Sequence, residues 1–277
     1  ELYYEAEGIM SGGDTMRTHS VRVQQAKDAL AEKIDDLPAE VRERTLSRHY
    51  DSYWLAFETD VHARHARLMA AADAENKLFA FDAIANDARA VTEIVVYTPD
   101  HSGVFARLSG AIAASGGSIV DAKAFTTTDG FALDIFSVLD AEGGPFGDAE
   151  RIGRLKETIE KTLTGEVAPK KLLAGKRVKT LASAFKVPAR VNFDNEASVT
   201  ATVLEVRGPD RPGFLYDVTT ALFRSGLSIS SAMIATYGER VVDVFYVRDG
   251  FGHKVTRKER LRSIEERLLK AVEGKKK

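Results

Sequence analysis

Two five-residue turns decide the fold: Pro99-Asp100-His101-Ser102-Gly103 and Pro209-Asp210-Arg211-Pro212-Gly213. They lie 110 residues apart, and the residues downstream keep that offset. Ala111 matches Ala221, Ser115-Gly116 matches Ser225-Gly226, and Ser118-Ile119 matches Ser228-Ile229. Ala122 then matches Ala232, and Thr126 matches Thr236. After a one-residue deletion, Asp134, Phe136, Val138 and Asp140 match Asp243, Phe245, Val247 and Asp249. Ordered self-similarity of this kind marks an internal duplication, so the two units share one fold.

Each unit opens with a short apolar run. Thr92 to Thr98 places Ile94 and Val96 on one face, and Thr200 to Arg207 carries Val203 and Leu204. The turn follows, where glycine permits a backbone angle other residues resist. A helix comes next. Phe105, Leu108 and Ile112 form its apolar stripe, repeated as Leu215, Val218 and Leu222. Gly116 and Gly226 stand where a C-terminal cap belongs. Strands are predicted over Ser118–Thr128 and Phe131–Asp140, and again over Ser228–Tyr237 and Val241–Asp249. Helices over Ala149–Leu163 and Lys258–Val272 close the units. The order β-α-β-β-α predicts an α+β fold of two ferredoxin-like βαββαβ modules in tandem. Arg190–Asp194 is expected to supply the last strand of the first module. Lys77–Asp82, with Leu78, Phe79 and Phe81, is a candidate for the open edge of the second. Residues 1–76 read as a helical segment, 77–195 as the first module with its linker, and 196–277 as the second. Within the segment, one helix is expected around Val21–Leu37. A second runs from Pro38 through Trp54, and a third starts at Thr59 or Asp60 and ends near Ala72.

The chain has 277 residues, a net charge of −2 and no cysteine. Disulfides, thiolate metal sites and cysteine nucleophiles are therefore excluded, and a reducing, cytoplasmic setting is expected. No apolar run is long enough to span a membrane. The start, Glu1-Leu2-Tyr3-Tyr4-Glu5, is acidic and not a signal peptide; it reads as the middle of a helix cut from something longer. Residues 167–190 hold seven Lys/Arg and no acid. That stretch reads as a solvated linker or a contact for an anionic partner. Nucleic acid is not expected as a partner.

Catalytic motifs are missing. His62 and His65 are spaced to reach one metal from a helix, but no partner motif accompanies them and His49 is the only further candidate. Ser11-Gly12-Gly13-Asp14 is a plain loop as readily as a phosphate turn. There is no His-Asp doublet, no Asp-x-Asp and no P-loop. No catalytic residue, metal ligand or cofactor is assigned. The repeated turns are the candidate site. Amides at a helix N-terminus favour a carboxylate, and a short acid beside them accepts from an ammonium group. Asp100, His101, Gly103, Asp210, Arg211 and Gly213 are candidate ligand residues, joined by Ser118, Ile119, Ser228 and Ile229. The competing reading leaves Asp as a helix cap and Gly as a turn former.

The runs Val95–Phe105 and Ser118–Ala122 resemble an ACT domain. Val191–Ser198, Asp210–Gly213 and Ala235–Val247 resemble the C-terminus of the bacterial bifunctional uridylyltransferase/uridylyl-removing enzymes, which act on the nitrogen signal protein PII. Leu2–Glu5 and His62–Arg67 resemble the segment that follows the HD domain of those enzymes. The resemblance implies tandem ACT domains that sense glutamine or a similar amino acid, with possible pairing between ACT modules. The nucleotidyltransferase and HD motifs are missing from this chain, so it is expected to lack both activities; Mg would belong to those catalytic domains. A stand-alone ACT-repeat protein for another amino acid, or a ligand-free interaction scaffold, is the alternative.

Overall fold

A computed structural model describes residues 14–174, 187–211, 213–237 and 240–274. Ser11–Gly13, read as a plain loop or a phosphate turn, and the middle of the basic stretch lie outside the described residues. The helical segment contains α1 (Asp14–Lys33), α2 (Ala39–Ser47), α3 (Asp51–Trp54) and α4 (Thr59–Ala74). The helix expected from Pro38 through Trp54 is broken in two. The Thr45 and Ser47 hydroxyls bond back to the carbonyls of Val41 and Glu43, which weakens a helix end. Tyr50 then turns extended before α3. The N-cap of α4 is Glu58, whose side chain makes no capping bond, instead of Thr59 or Asp60.

The first sheet comprises β1 (Ala80–Asn86), β2 (Val91–Pro99), β3 (Ser118–Thr126) and β4 (Phe131–Leu139), in the order β1-β2-β4-β3. Its helices are α5 (Val104–Ala114) and α6 (Ala149–Leu163). A short helix, α7 (Pro169–Ala174), follows. The second sheet comprises β5 (Arg190–Asp194), β6 (Thr202–Pro209), β7 (Leu227–Tyr237) and β8 (Arg240–Asp249), in the order β5-β6-β8-β7. Its helices are α8 (Phe214–Arg224) and α9 (Lys258–Glu273). The fold is α+β with two ferredoxin-like sheets, as expected. The edge strands differ from expectation. Arg190–Asp194 pairs antiparallel with β6 and completes the second sheet, not the first. The strand beginning in the 77–82 stretch completes the first sheet, not the second. In both modules the edge strand precedes the first core strand. A short connection brings these neighbours together at less closure entropy than a return from the far end of the module.

Compactness divides the chain into two units. One takes the helical segment through Asp82 together with Val95–Asp100 and Phe125–Leu133. The other takes Ala83–Ile94, His101–Ala124 and everything from Asp134 onward. No described helix is long and apolar enough to cross a membrane.

In the first unit, Arg48 is only 3% exposed. Its guanidinium donates to the Tyr97 hydroxyl at 2.5 Å, and that hydroxyl donates to Asp73 at 2.8 Å. Arg48 also pairs with Asp73 and Asp129 at 3.0 Å each, and lies over the Phe131 ring. Arg44 reaches the same two carboxylates from a more exposed position. Burial works to raise the pKa of Asp129, but bonds from Thr127 and Arg44 and the arginine charges outweigh it and hold it at about 2. In the second unit, α5 packs against α6, α7 and α8. A Cβ on Gly103 would lie 3.5 Å from the Phe223 ring, and one on Gly110 would lie 2.7 Å from the Tyr216 ring. These contacts run α5 and α8 antiparallel.

Removing one member of a buried ion pair strands the other. Arg48→Met is therefore expected to destabilise the first unit by about 3–5 kcal/mol in urea denaturation, whereas Arg44→Ala costs about 1 kcal/mol or less. Equal effects would show that burial of Arg48 does not set its worth.

Candidate functional site

Both turns fold alike. Gly103 (φ 89°) and Gly213 (φ 76°) are the left-handed N-cap residues of α5 and α8, and neither helix has a side-chain cap. The Val104 amide donates to the His101 carbonyl at 3.1 Å, and the Phe214 amide to the Arg211 carbonyl at 3.0 Å. Asp100 and Asp210 are thus not helix caps. A β-carbon at these angles is strained, which explains glycine in both copies.

The partners of the two turns differ. Asp100 is exposed and accepts from the Thr126 hydroxyl at 3.0 Å; its amide donates to Gly130 at 2.9 Å. His101 is exposed and Gly103 half-buried. Asp210 is exposed, yet desolvation by the surrounding protein raises its pKa, against the Arg211 amide. Arg211 does not point outward as a free anion ligand. It pairs with Asp217 at 2.7 Å, donates to the Ala271 carbonyl at 2.7 Å and covers the Phe214 ring. It braces the turn against the C-terminal end of α9.

Ser118 and Ser228 are exposed, and Ile119 and Ile229 half-buried. Ser228 and Ile229 do not join the turn of the second module. Ser228 is in register with Arg248, whereas Pro209, beside the second turn, is in register with Arg240. At ~3.3 Å per strand residue that separates them by roughly 27 Å. The sequence gives no distance along a strand between two motifs that recur together.

Large side chains approach both turns. Phe223, 43% exposed, faces Gly103. At the 110-residue offset its counterpart is Ala113, too small to reach Gly213. Leu173 of α7 takes that place, 3.3 Å from where a Gly213 β-carbon would stand.

The three candidate metal histidines are core residues. His49, His62 and His65 are all buried, and they surround the Tyr53 ring at centroid distances of 3.8, 4.8 and 6.0 Å. His62 Nε2 contacts the Tyr53 carbonyl at 3.1 Å. Among the described residues no group of three or more ligand side chains is arranged for a metal. Burial pushes the pKa of His49 down to about 3, helped by the Arg48 charge, and burial lowers that of His62.

Sequence reasoning matched Asp243 to Asp134 without assigning it a role. It is fully buried on β8, on the face shared with Val241, Phe245 and Val247. Neither of its oxygens has a hydrogen-bond partner of good geometry. Burial pushes its pKa up to about 8, opposed by the Ala235 amide and assisted by the Asp210 carboxylate. An acid at the apolar parity of a strand was the signal available.

Residues 197–275 match the ACR family N-terminal ACT domain. Bifunctional uridylyltransferase/uridylyl-removing enzymes are similar along 98% of the chain. The identity is 44% in Azospirillum brasilense, 42% in Rhodospirillum rubrum and 41% in Gluconobacter oxydans. The chain spans about 30% of the length of these curated relatives.

Stability is expected to depend on pH in opposite senses in the two units. Asp243 holds its proton more tightly when folded, so its contribution is present at low pH and is lost as pH rises from the ordinary 3.8 through about 8. His49 and His62 bind protons less tightly when folded, so theirs is lost as pH falls below the ordinary 6.5. Each fully buried group changes stability by about 1.4 kcal/mol per pH unit within its window. Urea denaturation across pH, with Asp243→Asn expected to remove the fall in stability between about pH 4 and about pH 8, checks both signs.

Proposed function

We propose that the chain, similar along 98% of its length to part of the bifunctional uridylyltransferase/uridylyl-removing enzymes, is an amino-acid-sensing part of such an enzyme. Glutamine or a similar small amino acid is the proposed ligand. One observation carries the reading: two helix N-termini open on left-handed glycines, without side-chain caps and with an exposed aspartate three residues earlier. An amino acid has the matching charges, a carboxylate for the amide end of the helix and an ammonium group for the aspartate.

In this reading the transferase and removing reactions, the Mg they need and the PII protein they modify involve the remainder of a longer cytoplasmic enzyme. Ligand binding alters those reactions only through a difference in affinity between two states of the sensor. The contact of Phe223 with Gly103 and of Leu173 with Gly213 favours a second reading, a scaffold whose turns are filled from within.

Calorimetry and thermal denaturation with L-glutamine separate the two. A sensor binds saturably and gains about 2.7 kcal/mol at a ligand concentration one hundred times Kd. Gly103→Val or Gly213→Val, each forcing a branched residue to a positive φ, should weaken that binding severalfold. Absence of heat and of a thermal shift at millimolar glutamine would leave the scaffold.

A further inference from the structure

We propose that the tip of the β3–β4 hairpin, Thr126 to Gly130, carries occupancy of the first turn to the helical segment, which makes the first module the one that reports its ligand. The proposal rests on the sensor reading and adds an outlet for its signal.

The tip is bonded on both sides. Toward the turn, the Gly130 carbonyl accepts from the Asp100 amide at 2.9 Å, and the Thr126 hydroxyl donates to the Asp100 carboxylate at 3.0 Å. Toward the helices, the Thr128 amide donates to the Arg48 carbonyl at 2.8 Å. Asp129 pairs with Arg44 at 2.8 Å and with Arg48 at 3.0 Å. Inside the tip, the Thr127 amide donates to the Phe131 carbonyl at 2.7 Å and the Gly130 amide to the Thr127 carbonyl at 3.1 Å. These bonds tie its residues into one piece. All of these residues fall in the same compact unit.

The duplication separates the two modules at this point. Arg48 lies over the rings of Tyr97 and Phe131, which stack on each other at 4.8 Å. Phe125 meets the rings of Tyr53 and Phe57 at 5.5 and 5.7 Å. The counterparts of Tyr97, Phe125 and Phe131 in the second module are Arg207, Ala235 and Arg240. Arg207 is exposed and pairs with Glu205 of its own strand, and Arg240 is exposed. Two arginines in those places would repel the Arg44 and Arg48 charges instead of stacking under them.

An ammonium group arriving at Asp100 competes with the Thr126 hydroxyl for the carboxylate. The hairpin tip then shifts against α2, and the charge-assisted bonds of Asp129, which depend on direction, pass the shift to Arg44 and Arg48. The two arrangements of the tip differ in affinity for the ligand, which is the condition for coupling. Thr126 and Asp129 are positioning residues in this scheme.

The chain's single tryptophan reports on the helices. Trp54 is buried, and its indole donates to the carbonyl of His49, the residue after Arg48, at 3.4 Å. The test is titration of the whole chain with L-glutamine, followed in parallel by calorimetry and by tryptophan fluorescence. The wild type should give a heat and a fluorescence change that saturate with one Kd. Asp129→Asn keeps the side-chain shape and removes the charge; it should still give the heat, with the fluorescence response reduced severalfold. Should Asp129→Asn fail to fold by circular dichroism, Arg44→Ala replaces it, with the same expected outcome. Gly103→Val should move the fluorescence titration to severalfold higher glutamine. Heat without a fluorescence response in the wild type overturns the outlet and leaves the sensor standing. So does a full response in the folded Asp129 or Arg44 variant, or an unmoved titration in Gly103→Val. No heat from the wild type overturns both.

Discussion

A left-handed residue between strand and helix is the constraint on which both modules depend. At Gly103 and Gly213 the chain leaves a core strand and must enter a helix lying across its own sheet. A side chain there would meet its own backbone. Once the junction is set, the stripe Phe105, Leu108, Ile112 turns inward, as does Leu215, Val218, Leu222. The same conformation leaves the helix end without a side-chain cap, so the geometry that fixes the fold also creates the candidate site.

Much of this was legible in the residues, because helix stripes and strand parity are local periodicities. The span Ala149–Leu163 came out residue for residue. The edge strands did not. A five-residue run such as Arg190–Asp194 records that it is extended, but not which neighbour completes its hydrogen bonds. The break between α2 and α3 was hidden for a related reason: Tyr53 and Trp54 continue the apolar spacing of α2, while the hydroxyls that loosen its end are weak local signals. The turns were legible as a motif. Their environment was not, because Phe223 and Leu173 arrive from distant sequence.

Three kinds of buried polar group show how differently burial is met. Arg48 is surrounded by two carboxylates, a hydroxyl and aromatic rings, so its buried charge is paired. His49 and His62 lie among aromatic rings and stay neutral. Asp243 has neither a counter-charge nor good donors, and its character follows from what is missing around it. Similar exposures thus give a rivet, a filler and a poised acid.

Gly110 carries a last implication. A β-carbon there would stand 2.5 Å from Pro169 and 2.7 Å from Tyr216, so bare backbone sets the spacing of α5 from α7 and α8. With no side chain between them, the helices cannot tighten further, and parting them would open a dry gap. The low-cost freedom left is sliding along their common direction, as plates shear on a flat fault.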